Sequence, residues 1–391
     1  MQHKTLSILL LLSFWTIIES RAEVKILSPM AKISLLTCGP GEAIYSKFGH
    51  SALWVFDPTQ RIDRVYNYGT FDFYSNDFYL EFIRGTAKYI LSVTNFQKFY
   101  EEYELENRSI VGQELNLAVK ERQDLYERLE DNYKPENRYY LYDFLFQNCS
   151  SLIRDIVWEA TSGRFAIPEK SDSLHTYRSM MVPYLSATPW LMNGEFVLLG
   201  PRTDKEASPW DQMYLPDYMF NWFEAAADTS GSSLVGNTRM LFISRPENEK
   251  DKFFTHPDFL LALFLVIVLW FTYREIRLKK KFRIMDSIIF FFTGVLGLLM
   301  IYMWTTSKHM VTHENFNLAW AFPLNLGLAI LVWFKRSAGF LKYYAMITAP
   351  LSILFLCFFW LIPQSFTPAI VLFSTITAVR LSRWAFLPAP L

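Results

Sequence analysis

The 391-residue sequence lacks several features that would assign it to a common class. It has 38 Lys and Arg against 38 Asp and Glu, so it lacks the basic excess typical of nucleic-acid-binding proteins. It has no internal repeat, no low-complexity linker and only three cysteines. No cysteine stands directly after the N-terminal apolar run, which argues against a lipid anchor on the chain itself. Apolar residues are abundant and concentrated in the last third, which predicts a membrane protein with a soluble head.

The first 22 residues, MQHKTLSILLLLSFWTIIESRA, have the three-part form of a secretory signal. A lysine precedes an apolar run over 6–18, and Ser-Arg-Ala follows that run. We therefore predict a signal peptide over 1–22, with cleavage after Ala22. An uncleaved anchor helix is the alternative.

The C-terminal third contains five apolar stretches, each near the roughly 20 residues that a spanning helix needs. They cover 257–273, 284–304, 316–334, 343–362 and 366–387. Basic residues follow the first and third stretches, and Arg380 and Arg383 lie near the end of the fifth. Because positive charge stays cytoplasmic, the first, third and fifth helices run inward, which leaves the preceding region outside the cytoplasm. Pro323 and Asn325 predict a local break in the third stretch.

We divide the chain after the signal peptide into a head, 23–255, and an all-α five-helix transmembrane domain, 256–391. In the head, HSALWVFD and RVYNYGTFDF have the composition of strands joined by a DPTQ turn. The segment GEFVLLG also has strand character, whereas NLAVKERQDLYERLEDNY is typical of a charged amphipathic helix. The head is therefore predicted to be α+β.

The segment FQNCSSLIRDIVWEA places Cys149 in the first turn of a predicted helix. Asn148 is a favourable N-cap residue, and the apolar residues of 152–160 form one helical stripe. The N-terminal end of a helix dipole stabilises a thiolate, as a nucleophilic cysteine requires. Two alternatives remain, a structural cysteine and a disulfide with Cys38 in an oxidising compartment. Cys357 lies inside the fourth stretch and is interpreted as a packing residue.

The segment KFGHSALWVFD places His50 at the head of a strand. A lone histidine is more often structural, but a Cys–His pair is the smallest acyl-transfer unit. Cys149 therefore favours a catalytic His50. Asn67 is preferred as the residue that orients the imidazole, because a carboxylate at Asp72 would instead favour imidazolium. The oxyanion hole is expected to combine the Cys149 backbone N–H with a second, unidentified donor.

Taken together, TCGPGEAIYSKFGHSALWVFD, YNYGTFDF and FQNCSSLIRD resemble the periplasmic domain of the Lnb family, integral-membrane lipoprotein N-acyltransferases of Gram-negative bacteria. The five-stretch tail, with HMVTHENFNLAWAFP between its second and third stretches, is similar to the membrane part of that family. The histidine-before-cysteine order is also similar to circularly permuted papain-like enzymes, including the NlpC-like hydrolases. The resemblance covers nearly the whole chain and implies a permuted papain-like head.

The resemblance also implies a reaction. Such an enzyme moves an acyl chain from a phospholipid to the α-amino group of a diacylglyceryl-cysteine lipoprotein, with no metal or other cofactor. Cys149 would carry the acyl thioester and His50 would be the general base, in a protein of the bacterial inner membrane. The alternatives are a membrane-anchored papain-like hydrolase, acting as a cell-wall amidopeptidase or a phospholipase, and a non-catalytic membrane assembly factor.

Substrate-binding candidates come from two places. Aromatic and polar residues of the head could wall the site from water. The polar loop HMVTHENFN lies at the predicted outer interface, where it either marks that interface or binds a headgroup or lipoprotein N-terminus. Metal binding by its two histidines has no further ligand pattern behind it. The candidates are Trp54, Tyr68, Asp72, His309, His313, Asn315 and Asn317.

Overall fold

The structure, a computed structural model, describes residues 24–70, 78–168, 175–245, 253–278 and 282–386. The predicted signal peptide and Asp72 lie outside these residues. Within them, a head built on a β-sheet is followed by a group of long apolar helices. The predicted boundary at residue 255 falls just before the first of these long helices.

The head contains one antiparallel seven-stranded sheet among the described residues, in the order β6-β4-β3-β2-β1-β5-β7. Its strands are β1 (Lys32–Cys38), β2 (His50–Asp57), β3 (Ile62–Thr70), β4 (Lys88–Thr94), β5 (Ile110–Leu115), β6 (Tyr139–Leu141) and β7 (Val235–Phe242). The predicted turn between β2 and β3 is confirmed. There the Asp57 carboxylate accepts the backbone N–H groups of Thr59 and Gln60.

The helices of the head cover both faces of this sheet. They are α1 (Phe78–Arg84), α2 (Phe96–Leu105), α3 (Val119–Tyr133), α4 (Cys149–Ala160), α5 (Tyr177–Leu185), α6 (Pro189–Leu198), α7 (Pro209–Gln212) and α8 (Pro216–Ala225). The predicted amphipathic helix is α3, which buries Leu125 and Leu129 against one face together with Ile153 of α4. Phe99 of α2 packs on the opposite face. The strand-and-helix composition of the head is confirmed, whereas its permuted papain-like topology stays a prediction.

The predicted strand over 194–200 is wrong, because most of this segment belongs to α6. Pro189 occupies the first turn of that helix, a position where its missing N–H costs nothing. Phe196 is buried, and Leu191 and Leu198 pack in the same cluster as membrane-domain residues. Tertiary packing of these apolar side chains therefore outweighs the local β-propensity of the segment.

Four helices of the membrane part, within 253–278 and 282–386, are long and apolar enough to span a bilayer. They correspond to α9 (Pro257–Leu278), α10 (Arg283–Thr306), α12 (Ala338–Phe358) and α13 (Pro368–Phe386). The third predicted stretch instead forms a 3₁₀ turn (Phe316–Ala319), an irregular segment and the seven-residue helix α11 (Asn325–Leu331). The count of five continuous helices is therefore not confirmed, and the predicted break is present.

The break is accommodated by close packing and by polar contacts. Backbone atoms near Pro323 and Leu326 lie so close to α10 that a Cβ on Gly297 or Gly294 would be within 3 Å of them. The Asn325 side chain donates to the Thr293 hydroxyl at 3.0 Å and accepts from the hydroxyl of Tyr344 at 2.9 Å. Irregular backbone at membrane depth is tolerated where neighbouring protein groups provide such partners.

Buried charged side chains join three of the long helices at the ends that are predicted to face the cytoplasm. Arg380 of α13 contacts Asp286 of α10 at 2.6 Å and Glu275 of α9 at 2.9 Å. Arg383 also contacts Glu275, at 3.1 Å. The two arginines that support the predicted topology are therefore paired inside the bundle, where they connect three helices.

The head docks directly onto the outer loop of the membrane part. The Gly200 N–H donates to the Val311 carbonyl at 2.7 Å, and the Lys308 N–H donates to the Arg84 carbonyl at 2.8 Å. A Cβ on Gly200 would lie 2.0 Å from the carbonyl oxygen of His313, so this contact requires glycine. These backbone contacts fix the head against the outer side of the bundle.

Candidate active site

Cys149 is the first residue of α4, and the structure explains why the helix begins there. The side-chain oxygen of Asn148 accepts the N–H groups of Ser150 and Ser151, both at 2.9 Å, as expected of an N-cap. The amide nitrogen of Asn148 donates to the carbonyls of Phe144 and Tyr214. The cap is therefore held by the surrounding protein and fixes the position of the thiol at the helix N-terminus.

His50 begins β2, and Asn67 lies on the neighbouring strand β3. The His50 Nε2 and the Asn67 Oδ1 are 2.5 Å apart. Because an amide oxygen can only accept, Nε2 carries the proton in this contact and Nδ1 is the ring nitrogen left for another partner. The structure thus places Asn67 in contact with His50, and its role in orienting the imidazole stays a prediction.

Cys149 is the other partner of His50. A Cβ placed on Gly69 would lie 3.8 Å from both the Cys149 Cβ and the His50 Cε1, so the two side chains meet over that residue. Gly69 has φ +97°, a backbone conformation that favours glycine. Sequence analysis did not single out this residue, although a glycine inside a strand is a signal for close approach.

The residues that follow His50 and Cys149 are also joined. The hydroxyl oxygens of Ser51 and Ser150 are 2.9 Å apart and buried. This contact ties the start of β2 to the first turn of α4, and with it the relative position of the imidazole and the thiol. In the sequence, a serine follows His50 in the segment GHS, and another serine follows Cys149 in the segment NCS. These two serines are the sequence signal for the contact.

The electrostatics of the pair favour thiolate and imidazolium. Burial raises the pKa of the Cys149 thiol, but the charge of His50 and hydrogen bonds from His50, the Ser51 backbone N–H and the Ser150 hydroxyl lower it below its ordinary value. Burial lowers the pKa of His50, but the charge of Cys149 and hydrogen bonds with Cys149 and Asn67 raise it. Each partner thus stabilises the charged form of the other.

Cys38 does not form the alternative disulfide, because all three cysteines are free thiols. It pairs in register with His50 across β1 and β2. Burial raises the pKa of its thiol far above the ordinary range. Behind it, the Tyr103 ring lies nearly parallel to the His50 ring, with centroids 6.3 Å apart, and the Arg108 guanidinium lies 4.6 Å from the Tyr103 centroid. Cys38 therefore belongs to the rear wall of the site as a neutral thiol.

Trp54 lies away from Cys149 and His50, and the hydroxyl of Tyr68 is held by another part of the head. Trp54 lies four residues along β2 from His50, roughly 13 Å at 3.3 Å per residue. Its indole stacks on Phe96 and donates to Asp63 at 2.8 Å. The Tyr68 hydroxyl accepts from the Asn132 side chain at 2.8 Å. Both side chains contact other residues of the head. These contacts do not support a substrate-binding role, which stays a prediction.

The four candidates of the polar loop use their side chains within the protein. His309 Nε2 lies 2.8 Å from the Phe82 carbonyl of the head. Asn315 and Asn317 both donate to one carbonyl of α6, at 2.8 and 3.0 Å. His313 Nε2 lies 3.0 Å from a carbonyl in its own loop. The contacts of these four side chains support a role for them in docking the head rather than in binding a headgroup.

Aromatic residues near His50 and Cys149 in the chain contact the membrane part. Phe48, two residues before His50, packs on Phe144 with ring centroids 4.9 Å apart. Both phenylalanines pack against the cluster that contains Trp320 and Met300 of the membrane part. An apolar layer therefore connects the neighbourhood of the site to the bundle.

Comparison with protein families agrees with this architecture. The family model described as Lnb N-terminal periplasmic domain matches residues 25–182, which include His50, Asn67 and Cys149. The model described as Lnb transmembrane domain matches residues 248–388. Comparisons with curated sequences and with solved structures found no match. Together the two family models cover most of the chain, and the protein belongs to the Lnb family, as a membrane protein with a periplasmic N-terminal domain.

Proposed function

We propose that this protein is a lipoprotein N-acyltransferase that works through an acyl thioester on Cys149. The observation that carries the proposal is the meeting of Cys149, His50 and Asn67 in a head docked on membrane helices. A nucleophile, a base in contact with it and a group that orients the base are the parts that acyl transfer needs.

In the first half-reaction, the Cys149 thiolate attacks an ester carbonyl of a phospholipid. The new C–S bond forms, and the intermediate collapses by breaking the C–O bond to the glycerol. The leaving oxygen takes the proton from the His50 imidazolium, so the products are lysophospholipid, the acyl thioester and neutral His50. Asn67 holds Nε2–H throughout and keeps Nδ1 directed at the sulfur.

In the second half-reaction, the neutral α-amino group of a diacylated lipoprotein attacks the thioester. His50 accepts a proton from the attacking nitrogen as the C–N bond forms, and the C–S bond breaks to return the thiolate. Transfer instead of hydrolysis requires a site from which water is excluded. The aromatic rings around the pair and the apolar layer from Phe48 to the bundle support that requirement.

The proposal is tested by expressing the full chain in a bacterial strain that lacks lipoprotein N-acylation. Mass spectrometry of lipoprotein N-termini should then show a third acyl chain, and neither Cys149→Ser nor His50→Ala should produce it. The matched control is Cys38→Ala, which removes the neighbouring thiol and should retain transfer. Release of free fatty acid or wall fragments with unchanged lipoproteins would instead indicate a hydrolase. Transfer retained by Cys149→Ser would exclude the thioester mechanism.

A further inference from the structure

The reactive pair needs two hydrogen-bond donors for the oxygen that becomes negative during attack. One is the backbone N–H of Cys149, which has no hydrogen-bond partner among the described residues. As the first N–H of α4, it also lies at the positive end of the helix dipole. A second donor must be near it, unoccupied and protonated at the working pH.

Tyr140, at the centre of β6, meets these conditions. Its hydroxyl is buried, and among the described residues no hydrogen-bond partner lies within ordinary distance and angle. The Tyr140 ring lies 6.1 Å, between centroids, from the ring of Tyr68, the residue before Gly69, and Tyr140 and Cys149 pack against the same buried cluster. The phenol oxygen lies beside the Gly69 backbone N–H, which can only donate, so the hydroxyl proton remains for another acceptor. Gly69 is the residue over which Cys149 and His50 meet. Burial raises the pKa of the phenol well above its ordinary value, so it stays protonated while Cys149 is ionised.

We propose that the Tyr140 hydroxyl and the Cys149 backbone N–H together form the oxyanion hole. As the thiolate attacks, the carbonyl electron pair moves onto oxygen, which accepts hydrogen bonds from both donors. Collapse of the intermediate restores the C=O bond, and Tyr140 keeps its proton. A buried hydroxyl without an acceptor for its proton destabilises the folded protein, and the proposed role explains why this one is retained. The inference rests on the proposed thioester mechanism.

The test is Tyr140→Phe, which deletes only the hydroxyl. Purified full-length protein is mixed with a long-chain p-nitrophenyl ester, and the nitrophenol burst gives the rate of acylation. We expect that rate to fall by about 10²–10³-fold, the usual effect of losing one oxyanion donor. The matched control is Tyr184→Phe, which deletes a hydroxyl that donates to Asp217 at 2.9 Å and should leave the rate within a few-fold of that of the unmodified protein.

A second measurement separates catalysis from folding. The rate of Cys149 alkylation by iodoacetamide against pH should be the same in Tyr140→Phe and in the unmodified protein, because alkylation forms no oxyanion. An unchanged burst in Tyr140→Phe would overturn the role of Tyr140. A burst that persists in Cys149→Ala would instead overturn the thioester mechanism itself.

A different region carries a second inference. A cavity of about 940 Å³ opens between the 3₁₀ turn Pro201–Asp204 of the head and the connection from α12 to α13. This connection joins two helices that are long and apolar enough to span a bilayer, and the predicted topology places it on the outer side, at the level of the lipid headgroups. Phe359, Trp360 and Phe366 line its apolar side. Aromatic side chains of this kind are enriched at membrane interfaces.

The charged residues of the cavity do not neutralise one another by contact. Asp204 is paired with Arg178 at 3.0 Å. Arg202, Lys205 and Glu314 also line the cavity, and no ion pair involves them within the described part of the chain. Two cations and one carboxylate thus face a space open to the headgroup layer. A phosphate diester matches the cations, and an ammonium group matches the carboxylate.

We infer that this cavity binds the headgroup of a zwitterionic aminophospholipid. Its phosphate lies against Arg202 and Lys205, its ammonium group lies against Glu314, and its acyl chains leave past Trp360 towards the bilayer. The inference concerns binding alone and holds whether or not this lipid is the acyl donor.

The test is native mass spectrometry of the full chain with phosphatidylethanolamine, phosphatidylglycerol or inorganic phosphate added. The double variant Arg202→Gln/Lys205→Gln should lose phosphatidylethanolamine binding by tenfold or more. Glu314→Gln should lose the preference for phosphatidylethanolamine over phosphatidylglycerol. The control is Lys335→Gln/Arg336→Gln, an adjacent basic pair outside the cavity, which should bind lipid normally.

Two results would overturn this inference. One is equal lipid retention by the Arg202→Gln/Lys205→Gln variant and the unmodified protein. The other is displacement of the lipid by inorganic phosphate at equal concentration, which would assign the site to a free anion.

Discussion

The Nε2 of His50 lies 2.5 Å from the Oδ1 of Asn67 on the adjacent strand, and the same imidazole is hydrogen-bonded to Cys149. This contact is made by a neutral amide, so it fixes the tautomer without adding a negative charge beside the imidazole. The imidazole is therefore oriented by the sheet, while the thiol is held at the N-terminus of α4, where the helix dipole and the imidazole charge favour its ionised form.

The first prediction concerns the ionisation of Cys149. Because His50 lowers the pKa of the thiol, alkylation by iodoacetamide should persist at pH values below the ordinary thiol range. In His50→Ala, the largest contribution that opposes the effect of burial on the Cys149 pKa is lost, so the pH at which alkylation falls off should move upward. Mass spectrometry of the alkylated peptide between pH 5 and pH 10 measures both profiles. An unmoved profile in His50→Ala would contradict the pairing, and Cys38→Ala supplies the control.

The second prediction concerns Asn67. Asn67→Ala removes the contact that orients the ring and should lower kcat by up to about 10²-fold, the scale of a misplacement of 1 Å. Asn67→Asp keeps an acceptor but adds a charge that stabilises imidazolium and raises the pKa of His50. His50 then becomes neutral only at higher pH. The rise in rate with pH that reports the second half-reaction should therefore move to higher pH. Equal profiles for the Asp and Ala variants would argue against an orienting role.

The third prediction concerns the docking contact at Gly200. Gly200→Ala places a Cβ 2.0 Å from the His313 carbonyl oxygen, and the backbone must move. We expect the free energy of unfolding to fall by about 1–3 kcal/mol. Thermal unfolding in detergent measures the change. The control is Gly194→Ala, which meets no atom within 4 Å in α6 and should be neutral or stabilising. Equal melting temperatures for the two variants would contradict the docking geometry.

The fourth prediction concerns the buried charges of the bundle. Arg380→Met leaves Asp286 without its guanidinium partner and weakens the contacts of Glu275. Removal of one partner from a buried ion pair costs about 3–5 kcal/mol. Lys335→Met, at an exposed cation, should change stability by less than about 0.5 kcal/mol. Chemical unfolding in detergent distinguishes the two, and a similar small effect from both would show that the network contributes little.

Much of this protein was decided by local sequence. Asn148 caps a helix wherever an apolar stripe follows it, so Cys149 at a helix N-terminus could be predicted from one short segment. The DPTQ turn and the amphipathic α3 are local for the same reason. Hydrophobic length identified the membrane part, because spanning a bilayer depends mainly on composition.

Tertiary structure decided which groups meet. The imidazole of His50 and the sulfur of Cys149 come together only because the sheet and α4 are packed with the Ser51–Ser150 contact between them. The orphaned hydroxyl of Tyr140 has no sequence signal, since a tyrosine in a strand is common and its lack of a partner depends on every neighbour. The same holds for the polar loop, whose side chains dock the head because the partner carbonyls come from distant segments. The periodicity of apolar residues in a sequence shows only which face of a helix or strand is apolar. Which residues meet across the fold depends on where the tertiary structure places that face.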